Sequence, residues 1–444
     1  MTQERIRVLL LSGSWPHIDG SIQAADVVPY ELARCLADDG GFDLVLACAT
    51  FAEGKRSPAI EAGLRMLTAK GVRILPFVRL DPPVMPSGIV AKWRKLLLSR
   101  DPEALVPGYG QAGRILRALR ETLGDWLPEI AIPMWNYEVT AAAAGLPCPI
   151  YAFYGNPEHK VYEANLALQW HWERRLSPAW LARHAADRLR IRAIETVHLA
   201  MMRRFALIAQ NAANDVVYYE RQNIPGIHYL RNMWPAPTDD AWRARRDALE
   251  QTRPIKIAGN LGHLSATANS FGLWAIGAEI LPALRHRLGP GGFEMHIYGR
   301  LQPRTYLKEA LAGPEVQFRG FIDDIDTELY SCPIFLLANN RYNFKVGHTR
   351  VLHAFALGAC IVAYRDTALA MPELVDGENI LLADNGDEIA DQIARAARDV
   401  ALRRRLGAAG LATLRTLFNP ADNVEEMARR MRALLRPHRT RRAA

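Results

Sequence analysis

A short polar turn in the last third of the sequence is the segment best suited to bind a charged ligand. Gly347, His348 and Thr349 form this turn. From Arg350 the apolar residues recur at helical spacing up to Gly358, a residue type that commonly ends helices. The free N–H groups at the start of a helix favour phosphate by geometry and by dipole. We therefore expect this turn and Arg350 to hold the diphosphate of a donor substrate.

Three more residues in the same half of the chain have the character of a phosphate site. Gly259 and Asn260 follow an apolar strand, 255–258, and Arg300 follows another, 294–298. Open parallel sheets bind their ligands at the carboxyl ends of the strands, where these residues lie. We expect Gly259 and Asn260 to approach the diphosphate. Arg300 either adds positive charge there or is an ordinary surface residue.

A further group of polar side chains follows a predicted strand, 149–153, in the first half of the chain. Asn156, Glu158 and His159 come directly after this strand. Either Glu158 or His159 could orient an acceptor hydroxyl or accept its proton. The alternative is that both residues belong to a structural turn. We expect Asn156 on the acceptor side of the site.

The loop after the first predicted strand, 12–21, ends in Asp19, Gly20 and Ser21. Its glycines do not have the GxGxxG spacing of a dinucleotide-binding loop. We expect these three residues to face the donor phosphates or the acceptor, with Asp19 as a catalytic candidate. An ordinary connecting loop is the alternative.

The sequence gives little evidence for a metal-binding site. Asp324-Ile325-Asp326 has the spacing of a DxD metal motif, but it lies at a predicted helix start, where aspartates serve as caps and dipole partners. The sequence contains no HExxH motif and no Cys/His ligand set. We therefore expect no metal, and no cofactor other than the substrate itself. The five scattered cysteines are expected to be buried free thiols in a reducing compartment.

Buried strands alternate with amphipathic helices along most of the chain, which is typical of doubly wound parallel sheets. The alternation stops in a polar segment and then starts again. We therefore predict an α/β protein of two facing Rossmann-like domains with a cleft between them. The expected parts are an N-terminal domain 1–235, a linker 236–253, a C-terminal domain 254–420, a helix 421–436 that packs back on the N-terminal domain, and a basic tail 437–444.

Composition and charge limit the classes of partner that we expect the protein to bind. The chain has 444 residues, of which 50% are hydrophobic, and a formal net charge of +8. The helical region 163–204, rich in Arg, Trp and His, is either a solvated basic face or a contact for an anionic acceptor or lipid headgroups. Nucleic acid is not an expected partner, because no aromatic stacking platform accompanies the arginines. Without a signal peptide or a membrane-spanning segment, we expect a cytoplasmic protein, with peripheral contact at the inner membrane face as an option.

Ordered fragments over roughly residues 5–435 resemble the GT-B glycosyltransferases, in particular the large retaining family known as glycosyl transferases group 1. The fragments are WPHIDGS, ELARCLA, PEIAIPM, FALIAQNAANDVVYYERQNI, IHYLRNMWP, KIAGNL, MHIYGR, VQFRGFIDDI, RVLHAFALGACIVAY and PELVDGENILL. The resemblance implies a donor bound mainly by the C-terminal domain and an acceptor bound mainly by the N-terminal one. It also implies that Phe321 and Ile322 contact the nucleobase of the donor.

The chain departs from the family at its best-known motif. The family usually has two Glu residues separated by seven others, and Lys345 and His353 stand at those positions here. By the resemblance, the first Glu holds sugar hydroxyls and the second holds the donor ribose. Lys345 could contact a phosphate or an acidic sugar, and His353 could bond a ribose hydroxyl. The Arg and Lys that often follow the first donor-domain strand in the family are also missing, and Arg300 and His263 are the candidate substitutes for them.

The resemblance implies transfer of a sugar from a UDP- or GDP-type nucleoside diphosphate sugar, with retention and without a metal. The acceptor could be a glycan, a lipid-linked sugar, a protein or a small molecule. One alternative is a nucleotide-sugar epimerase of the same fold. The missing carboxylates motivate a second alternative, an inactive transferase-like binding subunit.

Overall fold

The computed structural model describes residues 5–18, 24–50, 56–81, 88–98, 105–106, 109–172, 177–250, 253–300, 302–341 and 345–443. The chain folds into two compact units, each built on its own sheet. The N-terminal unit comprises Met1–Asn211, Asp215–Met233 and Pro420–Ala444, and the C-terminal unit comprises Ala212–Asn214 and Trp234–Asn419.

The first half of the chain alternates strands and helices from its first described residues. Its strands are β1 (Ile6–Ser12), β2 (Phe42–Thr50), β3 (Arg73–Ile74), β4 (Val78–Arg79), β5 (Ile130–Met134), β6 (Tyr151–Tyr154), β7 (Leu207–Gln210) and β8 (Ile227–Tyr229). Its helices are α1 (Ala24–Asp39), α2 (Pro58–Ala69), α3 (Ile89–Leu98), α4 (Tyr109–Leu123), α5 (Tyr137–Ala143), α6 (Glu158–Trp172), α7 (Pro178–Met202) and α8 (Ala213–Arg221).

The second half begins with a helix and then alternates in the same way. Its strands are β9 (Ile255–Asn260), β10 (Phe293–Tyr298), β11 (Val316–Gly320), β12 (Ile334–Leu337), β13 (Cys360–Tyr364) and β14 (Leu381–Ala383). Its helices are α9 (Ala241–Leu249), α10 (Thr267–Ala275), α11 (Leu281–Leu288), α12 (Thr305–Ala310), α13 (Ile325–Tyr330), α14 (Thr349–Ala356), α15 (Asp366–Ala370), α16 (Gly386–Arg398), α17 (Val400–Leu417) and α18 (Pro420–Ala443). A π-helical turn, Ile276–Ile280, joins α10 to α11, and Asn339–Arg341 form a 3₁₀ turn. In the part of the chain that the structure describes, no helix is both long and apolar enough to cross a membrane.

The sheet of the N-terminal unit is parallel, with the order β3-β2-β1-β5-β6-β7-β8, and β4 pairs with β2. Strand β1 lies between β2 and β5, and Leu9 and Leu10 within it have no exposed surface. Both faces of such a strand are covered, which explains why its sequence is almost continuously apolar. Helix α18 packs on α1, where Arg432 pairs with Asp39 and Met431 enters the core.

The sheet of the C-terminal unit has the order β11-β10-β9-β12-β13-β14, and all of its pairs are parallel. The chain runs from β9 through β10 to β11 on one side and then returns to β12 on the other side of β9. The strand order therefore reverses at β9, and the loops after β9 and β12 diverge at its carboxyl end. Crevices at such switch points are where open α/β sheets bind ligands.

The segment 236–253, expected to be a polar linker, contains helix α9. Trp242 and Arg246 on this helix are buried. The Arg246 guanidinium donates hydrogen bonds to the backbone oxygens of Leu357 and Cys332 at 3.0 Å each. A helix of nine residues with four charged side chains and one narrow buried face gives little hydrophobic signal, which is why the polar composition of the segment indicated a linker.

Gly358 provides a test of how α9 packs on the unit. Its φ is +62°, and a methyl group there would lie 2.1 Å from Cζ3 of Trp242. We predict that Gly358→Ala lowers the free energy of unfolding by about 2–4 kcal/mol, from backbone strain and steric overlap together. Gly377→Ala is a matched control, because Gly377 has a φ of +73° with nothing near the added methyl. Gly377→Ala should lower the free energy of unfolding, measured in urea, by only about 1–2 kcal/mol. Equal losses would contradict the packing account.

Candidate active site

The loops after β9, β10 and β11 pack against one another at the carboxyl edge of the C-terminal sheet. A methyl group on Gly299 would lie 1.7 Å from the backbone oxygen of Gly262, so the two loops touch backbone to backbone. The Gly299 N–H donates to the oxygen of Gly320 at 2.8 Å, and the Leu264 N–H donates to that of Arg300 at 3.2 Å. Three loops distant in sequence thus form one surface.

Two of the predicted donor residues meet on this surface. The Arg300 guanidinium lies over the ring of Phe321, with Cζ 3.9 Å from the ring centroid. The Phe321 ring is 56% exposed, and Ile322 beside it is half-buried. An exposed aromatic ring covered by a cation offers a flat face on which a base can stack. His263, the other residue considered as a substitute cation, is exposed in the loop after β9.

Gly259 and Asn260 end β9 and have different roles. A methyl on Gly259 would lie 2.3 Å from Sδ of Met295, so glycine is required there by core packing. Asn260 is 3% exposed, and neither its amide nitrogen nor its amide oxygen has a hydrogen-bond partner among the described residues. Leaving buried polar atoms unpaired is costly, so this amide is the more plausible ligand-binding group of the two.

The turn before α14 is held by buried asparagines. His348 is the N-cap residue of α14, and Thr349 is the first helical residue. His348 makes no capping hydrogen bond; its Nε2 instead lies 2.7 Å from Oδ1 of Asn340. Burial, assisted by the charge of Arg350, lowers the pKa of His348 well below its usual value. The Asn340 amide also donates to the oxygen of Val346 at 3.0 Å, which fixes the turn.

Arg350 is a positive charge without an acidic partner in the described structure. Its Nη1 is buried and has no hydrogen-bond acceptor there. Burial lowers the pKa of Arg350 to about 10, so the guanidinium is still charged at neutral pH. A methyl on Gly262 would lie 3.5 Å from its Nη2, which places the charge beside the loop after β9. A partly desolvated cation at a helix start is suited to an anion that also contacts the helix N–H groups.

Lys345 and His353, which stand where the resembling family usually has glutamates, each lie beside a carboxylate from another element. Nζ of Lys345 is 3.0 Å from Oδ2 of Asp366, at the start of α15. Nε2 of His353 is 2.9 Å from Oδ1 of Asp326, in α13. The ring of Trp234 packs edge-on against His353, with the centroids 5.9 Å apart. Both positions therefore combine a side-chain nitrogen with a carboxylate.

The sequence Asp324-Ile325-Asp326 is a helix start in the structure. The Asp324 carboxylate accepts the Thr327 N–H at 3.2 Å and its hydroxyl at 2.6 Å, which caps α13. Asp326 reaches His353 instead. Within the described ranges no group of three or more His, Cys, Asp or Glu side chains is arranged around a common metal position.

Cysteine chemistry is not expected from the thiols of this chain. All five cysteines are free, and Cys148 is half-buried while the others are buried. Burial raises the pKa of Cys35 to about 11 and those of Cys48 and Cys360 to about 12. The thiols are therefore protonated at neutral pH, whereas the thiolate is the nucleophilic form.

In the N-terminal unit, Glu158 begins α6 directly after β6. The Tyr154 hydroxyl donates to its Oε2 at 3.1 Å. Burial raises the pKa of Glu158 to about 7, although the bond from Tyr154 opposes this change. A carboxyl group with a pKa near neutrality can both accept and return a proton. Glu158 is therefore suited to proton transfer in this unit.

His159, the next residue, turns into the core. It is 2% exposed, its ring centroid lies 5.3 Å from that of Tyr218, and its Nε2 is 3.6 Å from Oε1 of Glu195. Burial lowers the pKa of His159 to about 4, so the ring is neutral. These observations favour packing over catalysis for His159. Asn156 lies half-buried before α6, and Asp19, Gly20 and Ser21 fall outside the described residues.

Sequence reasoning missed a buried ion pair in the N-terminal unit, close to Glu158 in the first turn of α6. Lys160 pairs with Asp215 at the start of α8, and burial raises the pKa of Asp215 to about 6. It also missed Asp326 and Asp366 as partners of the substituted motif positions. Charged residues at helix starts were the available signal, but their partners are set by tertiary structure.

Comparisons with known proteins place this geometry in context. Residues 257–400 match the family model described as Glycosyl transferases group 1. No curated protein matches the chain in sequence. Three solved structures that resemble the whole chain are a sucrose-phosphate synthase, a UDP and glucose complex and a trehalose-phosphate synthase, and all three are distant in sequence.

The sucrose-phosphate synthase from Thermosynechococcus elongatus is 14% identical, with a TM-score of 0.64 over 98% of this chain and 100% of that one. The Anabaena protein Alr3699/HepE, in complex with UDP and glucose, is 14% identical, with a TM-score of 0.59 over 96% and 99% of the two chains. The α,α-trehalose 6-phosphate synthase from Burkholderia multivorans is 13% identical, with a TM-score of 0.59 over 98% and 100%. The predicted GT-B fold is thereby confirmed, and the family resemblance is confirmed within the C-terminal unit.

The raised pKa of Glu158 predicts a pH-dependent stability. Its folded-state value of about 7 exceeds the ordinary value of 4.5, so folding takes up a proton between these two pH values. The free energy of unfolding should fall as pH rises through this window. Urea unfolding at pH 5, 6, 7 and 8 measures this slope, and Glu158→Gln should flatten it. The free energy of unfolding of Glu158→Gln should equal that of the unsubstituted protein at pH 5 and exceed it at pH 8. Glu121→Gln, an exposed carboxylate on α4, should leave the slope unchanged. An unaltered slope in Glu158→Gln would refute the assignment.

The contact between His353 and Asp326 predicts the effect of restoring the family's glutamate. His353→Glu places two carboxylates together and should lower the free energy of unfolding by about 1 kcal/mol. Asp326→Asn in the same chain should recover most of that loss, because the repulsion is then removed. Urea unfolding of both single variants and the double variant measures the coupling. A double variant no more stable than His353→Glu would show that the loss comes from packing against Trp234.

Proposed function

We propose that the chain is a glycosyltransferase that moves a sugar from a nucleoside diphosphate sugar to a hydroxyl-bearing acceptor. One observation carries this proposal: the Arg350 guanidinium has no acidic partner among the described residues and stands at the start of α14, beside the loop after β9. A diphosphate is the chemical group that fits such a charge. The family match over residues 257–400, which includes this helix, supports the same conclusion.

The diphosphate is the leaving group of the reaction. As the bond from the sugar C1 to the phosphate oxygen breaks, its electron pair moves to that oxygen and the negative charge on the diphosphate grows. Arg350, the first N–H groups of α14 and the Asn260 amide are the donors available to stabilise this charge. Fixed donors of this kind stabilise a developing charge without having to reorganise. The proposed mechanism needs no metal.

The rest of the donor is assigned to the neighbouring contacts. The nucleobase stacks on Phe321 and Arg300, with Ile322 at its edge. His353 and Asp326 bond the ribose hydroxyls, and together they offer a donor and an acceptor. Lys345 and Asp366 do the same for hydroxyls of the transferred sugar. Hydroxyl groups both donate and accept, so a cation beside a carboxylate can bond them as a carboxylate alone does.

The acceptor hydroxyl must lose its proton as its oxygen bonds to the sugar C1. We propose that the departing phosphate oxygen takes this proton in a reaction with retention, and that Glu158 orients the hydroxyl. A carboxyl group with a pKa near 7 can be either a hydrogen-bond donor or an acceptor at neutral pH. The GT-B protein from Anabaena was solved with UDP and glucose, which makes UDP the first nucleotide to test.

Nucleotide binding tests the role of Arg350. Isothermal titration with UDP, GDP and dTDP should show binding of at least one of them. Arg350→Met, which keeps the side-chain length but removes the charge, should weaken that binding about tenfold to a hundredfold, the value of one or two charge-assisted hydrogen bonds. Arg285→Met is the matched control, because Arg285 is exposed on α11 and already paired with Glu315. Its affinity should be unchanged.

Two results would overturn the proposal or its site. Failure of all three nucleotides to bind the unsubstituted protein would contradict a nucleotide-sugar donor. Equal affinity in Arg350→Met and the unsubstituted protein would show that the diphosphate does not bind at α14.

A second experiment separates the reaction classes. The protein is incubated with the nucleoside diphosphate sugar of the nucleotide that binds, without an acceptor. Slow release of free nucleotide and sugar fits a transferase, and isomerisation of the sugar fits an epimerase.

A further inference from the structure

The C-terminal unit contains a cavity of about 420 Å³ between α9 and α17. Pro333, directly before β12, and Cys360, the first residue of β13, form its floor. The cavity thus lies at the amino ends of these parallel strands, whereas the proposed donor residues follow the carboxyl ends. A five-residue strand is about 16 Å long, so the two places are well separated.

Glycines and two buried arginines fix the walls of this cavity. Gly358 lies directly against Trp242 of α9, and a methyl on Gly407 of α17 would lie 2.1 Å from the oxygen of Gly358. Arg403 of α17 is 3% exposed and donates to Oε1 of Glu250, at the end of α9, at 2.9 Å. Arg246 is 6% exposed and donates to the backbone oxygens of Cys332 and Leu357, the residues directly before Pro333 and Gly358 of the lining. The walls are therefore rigidly attached to the sheet.

Positive charge exceeds negative charge around the cavity. Five arginines line it against two carboxylates, those of Asp247 and Glu250, which leaves an excess of three positive charges. Arg404 pairs with Asp247 at 2.8 Å, and Glu250 pairs with Arg403. Of the other three arginines, Arg246 bonds backbone oxygens, and Arg243 and Arg405 have no carboxylate partner in the described structure.

Arg243 and Arg405 are free to bind an anion. The Arg243 guanidinium lies over the ring of Trp242, with 5.3 Å from Cζ to the centroid. Arg405 donates to the backbone oxygen of Gly377 at 3.0 Å, which leaves its other donors available. Guanidinium groups bind phosphate through paired hydrogen bonds and are more weakly hydrated than ammonium groups. Arg243 lies on α9 and Arg405 on α17, and both side chains line the same cavity.

We propose that this cavity binds a small phosphorylated molecule, of the class of sugar phosphates, at a site separate from the proposed donor site. The volume lies within the range of small-molecule pockets, about 300–1,000 Å³. The phosphate bonds Arg243 and Arg405, and its two negative charges offset most of the local excess. Asp247 and Glu250 accept hydrogen bonds from hydroxyl groups, which favours a phosphorylated sugar over inorganic phosphate.

Isothermal titration of the full chain with glucose 6-phosphate, inorganic phosphate and glucose tests this site. We expect glucose 6-phosphate to bind, inorganic phosphate to bind at least tenfold more weakly, and glucose to give no signal. The double variant Arg243→Ala/Arg405→Ala should lose at least tenfold in affinity for glucose 6-phosphate. Arg285→Met, an exposed arginine of the same unit outside the cavity, should bind as tightly as the unsubstituted protein. Thermal unfolding without ligand checks that the variants fold.

Arg350→Met distinguishes this site from the proposed donor site. We expect it to retain full affinity for glucose 6-phosphate, even if it loses nucleotide binding. Loss of sugar-phosphate binding in Arg350→Met but not in Arg243→Ala/Arg405→Ala would place the ligand at the donor site and overturn the proposal. Absence of binding to the unsubstituted protein, or equal affinity in the double variant, would also overturn it. None of these outcomes depends on transferase activity.

Discussion

Parallel strand pairing in the C-terminal unit is the constraint on which its chemistry depends. All six strands point the same way, so every loop that follows a strand lies on the same edge of the sheet. Because the strand order reverses at β9, the loops after β9 and β12 separate at the carboxyl end of β9. Polar groups such as Asn260 lie at that end. Charge then decides what binds. Arg350 is partly desolvated and has no acidic partner among the described residues, a state that an anion relieves. The amino edge, with its own excess of arginines, is a separate environment.

The sequence predicted the parts of this arrangement that depend on local pattern. Apolar runs such as β1 indicated the buried parallel strands, and the polar turn with Arg350 indicated the helix start of α14. The partners of these residues could not be predicted. Asp326 and Asp366 are separated from His353 and Lys345 by 27 and 21 positions, and folding alone brings them together. Each of these two positions carries a nitrogen side chain in place of a carboxylate, and a neighbouring element supplies a carboxylate beside it.

Adjacent residues in the N-terminal unit show another limit of sequence reasoning. Glu158 and His159 were equal candidates, since both follow the same strand. The start of α6 sends their side chains in different directions, so Glu158 meets Tyr154 while His159 enters the core. Burial acts in opposite senses on the two groups, raising the pKa of the carboxyl and lowering that of the imidazole, because it disfavours the charged form of each. At neutral pH the His159 imidazole is therefore neutral, whereas the Glu158 carboxyl is about half ionised and able to exchange a proton.

The contact of Trp242 with Gly358, and that of Gly407 with the backbone of Gly358, also bear on how this protein can vary. The large indole fits only because position 358, more than 100 residues away, carries no side chain, and Gly407 lets α17 approach the Gly358 backbone. A substitution at any one of the three creates either an overlap or a void. Among relatives that retain a helix like α9, positions 242 and 358 should therefore vary together, with a larger residue at 358 only where 242 is small. Such covariation would mark the path by which a polar connecting segment became part of the domain.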